Sequence, residues 1–209
     1  KDKLKYSYHS IGHVYWKKYD YDSALSYYNR ALELDVQNFD KTGTQNNIGV
    51  LSRNKGDYEK AIDNFTRNLQ INKKLGDKRG MIFSAHNLGN TYYYLENYSK
   101  AQEYLEKSLG IQKEIETKVI SLLTTTFLFL TYKELGIQYD EKEIHSIIKE
   151  TANINFTTNY AIYRLLDDTF YLESAYNQIQ ESIDDMEEKY KEKFLSYPIP
   201  KAIVEEWEK

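Results

Sequence analysis

Two histidines four positions apart, His9 and His13, and a third, His86, are the residues of this sequence best suited to metal chemistry. On a helix, that spacing places the first two imidazole rings on one face, where both could bind a zinc ion. The sequence contains no cysteine, and neither an H-E-x-x-H arrangement nor a carboxylate partner completes the ligand set. We therefore expect no metal and no other cofactor.

The sequence also lacks the short motifs that build common catalytic sites. The patterns G-x-S-x-G, G-x-x-x-x-G-K-S/T and G-x-G-x-x-G are all absent. The many Asp and Glu residues alternate with Lys along predicted helices, which is typical of solvated faces. We therefore predict that this segment is not an enzyme.

Composition limits the partners and the location. The 209 residues carry a formal net charge of −4, which provides no basic surface for nucleic acid. The apolar run from Val119 to Tyr132 is shorter than the ~20 residues of a membrane-spanning helix, so it predicts a helix packed on several sides and no membrane partner. The absence of cysteine favours a cytoplasmic protein. Because the sequence begins at Lys1 without a methionine, we expect further sequence upstream.

Three stretches share a pattern of small residues that indicates stacked helical hairpins. In each stretch, a helix containing a glycine is followed by a break and then by a second helix containing an alanine. The pairs are Gly12 with Ala24, Gly49 with Ala61, and Gly89 with Ala101. The alanines are 37 and 40 residues apart, a period that indicates a repeat array.

This pattern resembles the tetratricopeptide repeat. The resemblance implies an all-α fold, a right-handed α-α superhelix of about five helical hairpins. Three clear repeats are expected at 4–36, 40–76 and 77–116, and a degenerate fourth at 117–152. The array would then cover residues 1–155, and residues 156–209 would form a fifth helical pair and a C-terminal cap.

Two shorter stretches are similar to parts of regulatory proteins. The joint L-G-D-K-R-G, Leu75 to Gly80, is similar to the extended repeats of bacterial regulatory arrays and kinesin-light-chain-like scaffolds. The ending from Phe194 to Trp207 is similar to the C-terminal repeat regions of large bacterial signalling proteins, including nucleotide cyclases and signalling ATPases.

A long helix from about Thr169 to Leu195 is expected to close the array. Its apolar residues recur at steps of 4, 3, 4, 3 and 4, which approximates a heptad seam. They are Leu172, Tyr176, Ile179, Ile183, Met186 and Tyr190. We expect this helix to cap a monomer, because the last repeat of a solenoid must cover the apolar face of its predecessor. A dimer seam is the alternative.

Aligning the first helices on their glycines predicts which side chains line the concave groove. They are Tyr6, His9, His13 and Trp16 from the first repeat; Asn46, Asn47 and Arg53 from the second; Phe83, His86, Asn87, Asn90 and Tyr93 from the third; and Phe127 and Leu130 from the fourth. Asparagine amides both donate and accept hydrogen bonds, so they suit the backbone of a peptide ligand. The alternative is that these amides bond to neighbouring helices or to water.

The resemblance also argues against one class of ligand. Co-chaperone repeats that grip a terminal carboxylate carry a Lys and Asn pair in the first repeat and basic residues in the third. Here His9 and His13 stand at the first pair, and Phe83 and Asn87 occupy the later sites.

The predicted function is a protein–protein interaction module that binds a peptide or a partner domain in the concave groove. One alternative is an intramolecular regulatory or sensor arm of a larger bacterial signalling protein, such as a cyclase, ATPase or kinase, in which the partner is a fused catalytic domain. A self-assembling scaffold is the third possibility. The ligand's identity does not follow from a repeat motif, because the motif specifies the fold.

Overall fold

The computed structural model describes residues 2–34 and 41–209, and twelve helices lie within these ranges. They are α1 (Asp2–Lys17), α2 (Tyr21–Leu34), α3 (Lys41–Asn54), α4 (Tyr58–Leu75), α5 (Lys78–Tyr94), α6 (Tyr98–Glu114), α7 (Ser121–Leu135), α8 (Glu141–Glu150), α9 (Phe156–Leu166), α10 (Thr169–Asp184), α11 (Glu188–Ser196) and α12 (Pro198–Trp207). Successive helices pair as hairpins, and the hairpins stack into a right-handed superhelix. The predicted boundary between the first two repeats, at residues 36–40, lies outside the described residues.

The three clear hairpins turn in the same way. In each turn, a residue with a left-handed backbone precedes an Asp or Asn that accepts a hydrogen bond from the backbone N–H three residues later. The pairs are Tyr19 with Asp20, Gly56 with Asp57, and Glu96 with Asn97. These side chains satisfy N–H groups that the first turn of the next helix leaves free, so the turn and the helix start are specified together.

Small residues allow the two helices of each hairpin to approach closely. A Cβ atom added at Gly49 would lie 2.5 Å from the Phe65 ring, and one added at Gly89 would lie 2.5 Å from Cγ of Leu105. Phe65 and Leu105 are both fully buried. The glycines therefore provide the space that the large side chains of α4 and α6 fill.

The apolar helix α7 is packed on several sides, as predicted. Its side chains from Thr124 to Thr131 are all buried, including four threonines. Three of these hydroxyls, on Thr124, Thr126 and Thr131, donate to the backbone carbonyl four residues earlier, at 2.7–2.9 Å. Because these polar groups are satisfied within the helix, α7 can be enclosed by α5, α6, α8 and α9.

The C-terminal region differs from the single long helix expected between Thr169 and Leu195. The helix ends at Asp184, and a new one, α11, starts at Glu188. Four acidic residues lie between positions 184 and 188, and their mutual repulsion disfavours a continuous helix there. The break turns α11 and α12 back toward the first hairpin.

The two ends of the array are joined. The Phe194 ring lies 4.4 Å from the Tyr19 ring, and Tyr197 stacks on Tyr21 at 4.5 Å between ring centres. At the rim, Lys18 pairs with Glu187 at 2.7 Å, and Asp22 pairs with both Lys193 and Lys55. The C-terminal helices therefore close the superhelix onto its first hairpin.

The predicted heptad residues pack inside this junction. Leu172 and Ile179 are 5% and 0% exposed and belong to the same apolar cluster as Tyr28 and Ile48 of the first two hairpins. Their side chains are covered by their own chain.

Candidate binding groove

The first helices of the hairpins, α1, α3, α5 and α7, carry the side chains predicted to line the concave groove, and α5 contacts both α3 and α7. Between α1 and α3 the groove opens into a cavity of about 500 Å³. Its walls are His9, Ser10, His13, Val14, Trp16 and Asn47. Four of the predicted groove residues therefore come together around one space that is open to solvent.

The two histidines of α1 that line this cavity differ in their exposure and contacts. His9 is half-buried: its Nδ1 lies 3.0 Å from the Thr44 hydroxyl, and its ring lies 5.2 Å from the Tyr28 ring. His13 is exposed and meets Trp16 edge-on at 5.9 Å. Within residues 2–34 and 41–209, no group of three His, Asp or Glu side chains is arranged to hold a metal ion.

A polar chain links α3 to α5. The Arg53 guanidinium donates to Oδ1 of Asn87 at 2.9 Å, and Nδ2 of Asn87 donates to Oδ1 of Asn46 at 3.0 Å. Asn87 is only 6% exposed, whereas Asn46 and Arg53 are half-buried. The Asn87 amide is thus hydrogen-bonded to side chains of the neighbouring helix α3. Of the three hydrogen-bonded residues, Asn46 and Arg53 are the two that a ligand can reach.

The other predicted residues of α5 and α7 are mostly enclosed. Asn90, Tyr93, Phe127 and Leu130 are each 3% exposed or less, while Phe83 is half-buried. Tyr93 packs edge-on against Phe127 at 5.4 Å. The half of the groove formed by α1 and α3 is accordingly the more accessible half, and the ligand contacts predicted for α5 and α7 would require these helices to separate.

His86 is buried on α5, and its Nδ1 lies 3.1 Å from the Thr124 hydroxyl of α7. Burial, together with the positive charge of Arg53, lowers the pKa of His86 from 6.5 to about 3. The imidazole is therefore neutral at physiological pH and joins α5 to α7 through a neutral hydrogen bond.

This shift predicts a pH dependence of stability. The unfolded chain binds a proton at His86 below pH 6.5 and the folded chain does not, so the stabilisation is complete above pH 6.5 and is lost as pH falls toward 3. Between pH 6.5 and 5 the loss should be about 1.6 kcal/mol. Denaturant unfolding of wild type and His86→Gln at both pH values would isolate this contribution, with exposed His145→Gln as control. A His86 ring that titrates near pH 6.5 by NMR would contradict the prediction.

A second cavity, of about 620 Å³, lies where the C-terminal helices meet the first hairpin. It is lined by Lys17, Lys18, Tyr19, Asn155, Phe156, Gln178, Glu181, Ser182, Asp185, Met186, Glu187 and Tyr190. None of these residues was predicted to line a site. The one sequence signal was the acidic run after Ile183, which marks the helix break that brings α11 to this position.

Comparisons with known proteins match this architecture. Two family models described as tetratricopeptide repeat match residues 6–38 and 40–114, which together are just over half of the chain. Similar solved structures include the apo form of RapI, at 18% identity and a TM-score of 0.67, covering 87% of this chain and 70% of that one. They also include the TPR2AB domain of yeast Sti1 in a complex with pHSP90, at 19% identity and a TM-score of 0.53, covering 99% of this chain and 72% of that one.

A comparison with curated protein sequences found no match. Among the described helices, none combines the length and the apolar character needed to cross a membrane. At identities below 20%, the two solved structures support the fold of this chain. The repeats themselves support a protein–protein interaction module.

Proposed function

Because this chain belongs to the tetratricopeptide repeat family, we propose that it binds a peptide or a partner domain in its concave groove, and that α1 and α3 provide the first contacts. The observation that carries the proposal is the open cavity between these helices, whose lining combines imidazole, indole, hydroxyl and amide groups. Such a mixture of apolar and hydrogen-bonding groups is typical of ligand sites. The solved complex of the yeast Sti1 domain with pHSP90 supports the choice of a protein ligand.

The proposed ligand is an extended or helical peptide. His13 and Trp16 offer an edge-packed aromatic pair for an apolar side chain. Asn46 and Asn47, both half-buried on α3, offer amides for the peptide backbone. Cytoplasmic location, a role in signalling and a monomeric state belong to the same proposal, and the internal packing of Leu172 and Ile179 supports the monomer.

A pair of serine variants tests where the ligand binds. Ser10 is exposed in the cavity, and Ser26 is exposed on α2, which is the second helix of the hairpin. Peptides would be selected from a random library against the wild-type protein, and their affinities would be measured by calorimetry. Ser10→Trp fills the cavity and should weaken binding at least about tenfold, a loss of about 1.4 kcal/mol.

The matched variant Ser26→Trp adds the same indole outside the groove and should leave affinity unchanged. Melting curves of both variants would show that the fold is retained. Equal affinity of the peptides for wild type and Ser10→Trp would place the binding surface elsewhere.

The second candidate function, a regulatory arm of a larger signalling protein, is favoured by an apolar stripe on α1. Leu4, Ile11 and Val14 are 47%, 36% and 54% exposed and follow one another at helical spacing on one side of α1. A fused domain packed on this stripe would protect it. Hydrogen exchange in α1 that is equally fast in the complete protein and in this segment would exclude that arrangement.

A further inference from the structure

Arg53 is a half-buried cation in the last turn of α3. Its guanidinium donates to Asn87 and lies 5.9 Å from the centre of the Phe65 ring. No ion pair of Arg53 occurs among the described residues, and the charged or polar groups that act on it electrostatically are the phenols of Tyr58 and Tyr94.

This arrangement is energetically unfavourable in the unliganded protein. A charge withdrawn from water without an opposite charge is destabilising, and burial lowers the pKa of Arg53 below its usual value. An arginine nevertheless stays protonated in a protein. Neighbouring His86 is neutral and cannot supply a compensating charge.

The donors around Arg53 match a carboxylate. The guanidinium has five N–H groups in a planar fork, and among the described residues only Asn87 accepts from it. Asn46 accepts from Asn87 through its oxygen, and its own amide N–H groups remain as potential donors.

We propose that Arg53 receives a carboxylate of the peptide bound in the groove, which makes the ligand an acidic peptide. The inference rests on the proposed function and names the chemistry of its ligand. The carboxylate belongs either to an Asp or Glu side chain or to the C-terminus of the peptide. Asn46 donates to the same carboxylate or to the adjoining peptide group.

Two random peptide libraries distinguish these sources. One displays peptides with a free C-terminal carboxylate, and the other holds the peptides between flanking segments of a carrier protein, so that only side-chain carboxylates are available. Both would be selected against wild type, Arg53→Gln and Arg67→Gln. Arg67 is 63% exposed on α4 and pairs with Asp63, so its substitution removes the same charge away from the groove.

Wild type and Arg67→Gln should enrich Asp or Glu at one position of the flanked peptides, or a C-terminal consensus in the free library. Arg53→Gln should lose that enrichment. An acidic peptide should bind Arg53→Gln about ten- to a hundredfold more weakly than wild type, as expected for a lost charged hydrogen bond. Its amide counterpart, with Gln or a C-terminal amide in place of the carboxylate, should bind both proteins equally.

Arg53→Gln should melt close to wild type, because it removes a charge that has no ion pair among the described residues and keeps an amide that can donate to Oδ1 of Asn87. Should that variant fail to fold, Arg53→Lys is the second test. It keeps the positive charge but loses the planar set of N–H donors, so it should still prefer acidic peptides and bind them with intermediate affinity. Peptides selected without acidic preference, and bound equally by wild type and Arg53→Gln, would overturn this inference and leave the proposed function intact. A failure of wild type to select any peptide would overturn the proposed function, and this inference with it.

Discussion

Replacing Phe194 with alanine is expected to lower the free energy of unfolding by about 3–5 kcal/mol, the range measured for Phe→Ala in protein cores. The Phe194 side chain is 0% exposed, and its ring packs against Tyr19 of the first hairpin at 4.4 Å and against Phe156 of α9 at 6.3 Å. The substitution would leave a cavity at the point where the C-terminal helices join the start of the array.

The matched control for this variant is Phe170→Ala. Phe170 is 64% exposed at the start of α10, so its removal should change stability by no more than about 0.5 kcal/mol. Denaturant unfolding followed by circular dichroism would measure both variants, and hydrogen exchange would show where protection is lost. Faster exchange in α2 as well as in α11 is expected for Phe194→Ala. If the variant unfolds like wild type, the two ends of the array are not joined through this residue.

The second prediction concerns the glycine at the centre of the third hairpin. In Gly89→Ala, the new Cβ would lie 2.5 Å from Cγ of Leu105 and 3.1 Å from the backbone oxygen of Ala101. Leu105 is fully buried, so it can move away only by displacing its neighbours. We expect the variant to lose about 1–3 kcal/mol of stability, as is usual when a packed core is overfilled.

The same substitution should have the opposite effect at Gly110. This glycine is exposed in the middle of α6, and no atom lies within 4 Å of the position of an added Cβ. Gly110→Ala should therefore stabilise the protein by about 0.5–1 kcal/mol, the difference in helix propensity between the two residues. Thermal unfolding of the two variants would compare them directly. A Gly89→Ala protein that gains stability like Gly110→Ala would show that the hairpin is not closely packed at this residue.

The sequence by itself determined the hairpins and their stacking. Helix periodicity, the capping residues Asp20, Asp57 and Asn97, and the small residues opposite Phe65 and Leu105 act over a few residues or within one hairpin. Each of these features can be recognised in the sequence because the interacting groups recur at fixed distances along the chain. The apolar character of α7 likewise predicted its burial, because an all-apolar helix needs protein on every side.

The alignment of the repeats predicts which side chains occupy equivalent positions on the first helices, but it does not predict their exposure. Asn47 and Asn87 follow the same repeat pattern, and yet one lines an open cavity and the other is bonded to Arg53 and Asn46. The repeat pattern sets the helix face on which each amide lies, whereas exposure depends on what packs beside it: α5, which carries Asn87, contacts both α3 and α7.

Only the tertiary structure decided how the array ends. The heptad spacing from Leu172 to Tyr190 was compatible with a cap or with a dimer, because a period of apolar residues does not specify what covers them. The helix break after Asp184 turns α11 toward the first hairpin, where Phe194 meets Tyr19, 175 positions earlier in the chain. Contacts between residues so far apart in sequence depend on the summed geometry of every hairpin between them, and no local pattern in the sequence encodes that sum.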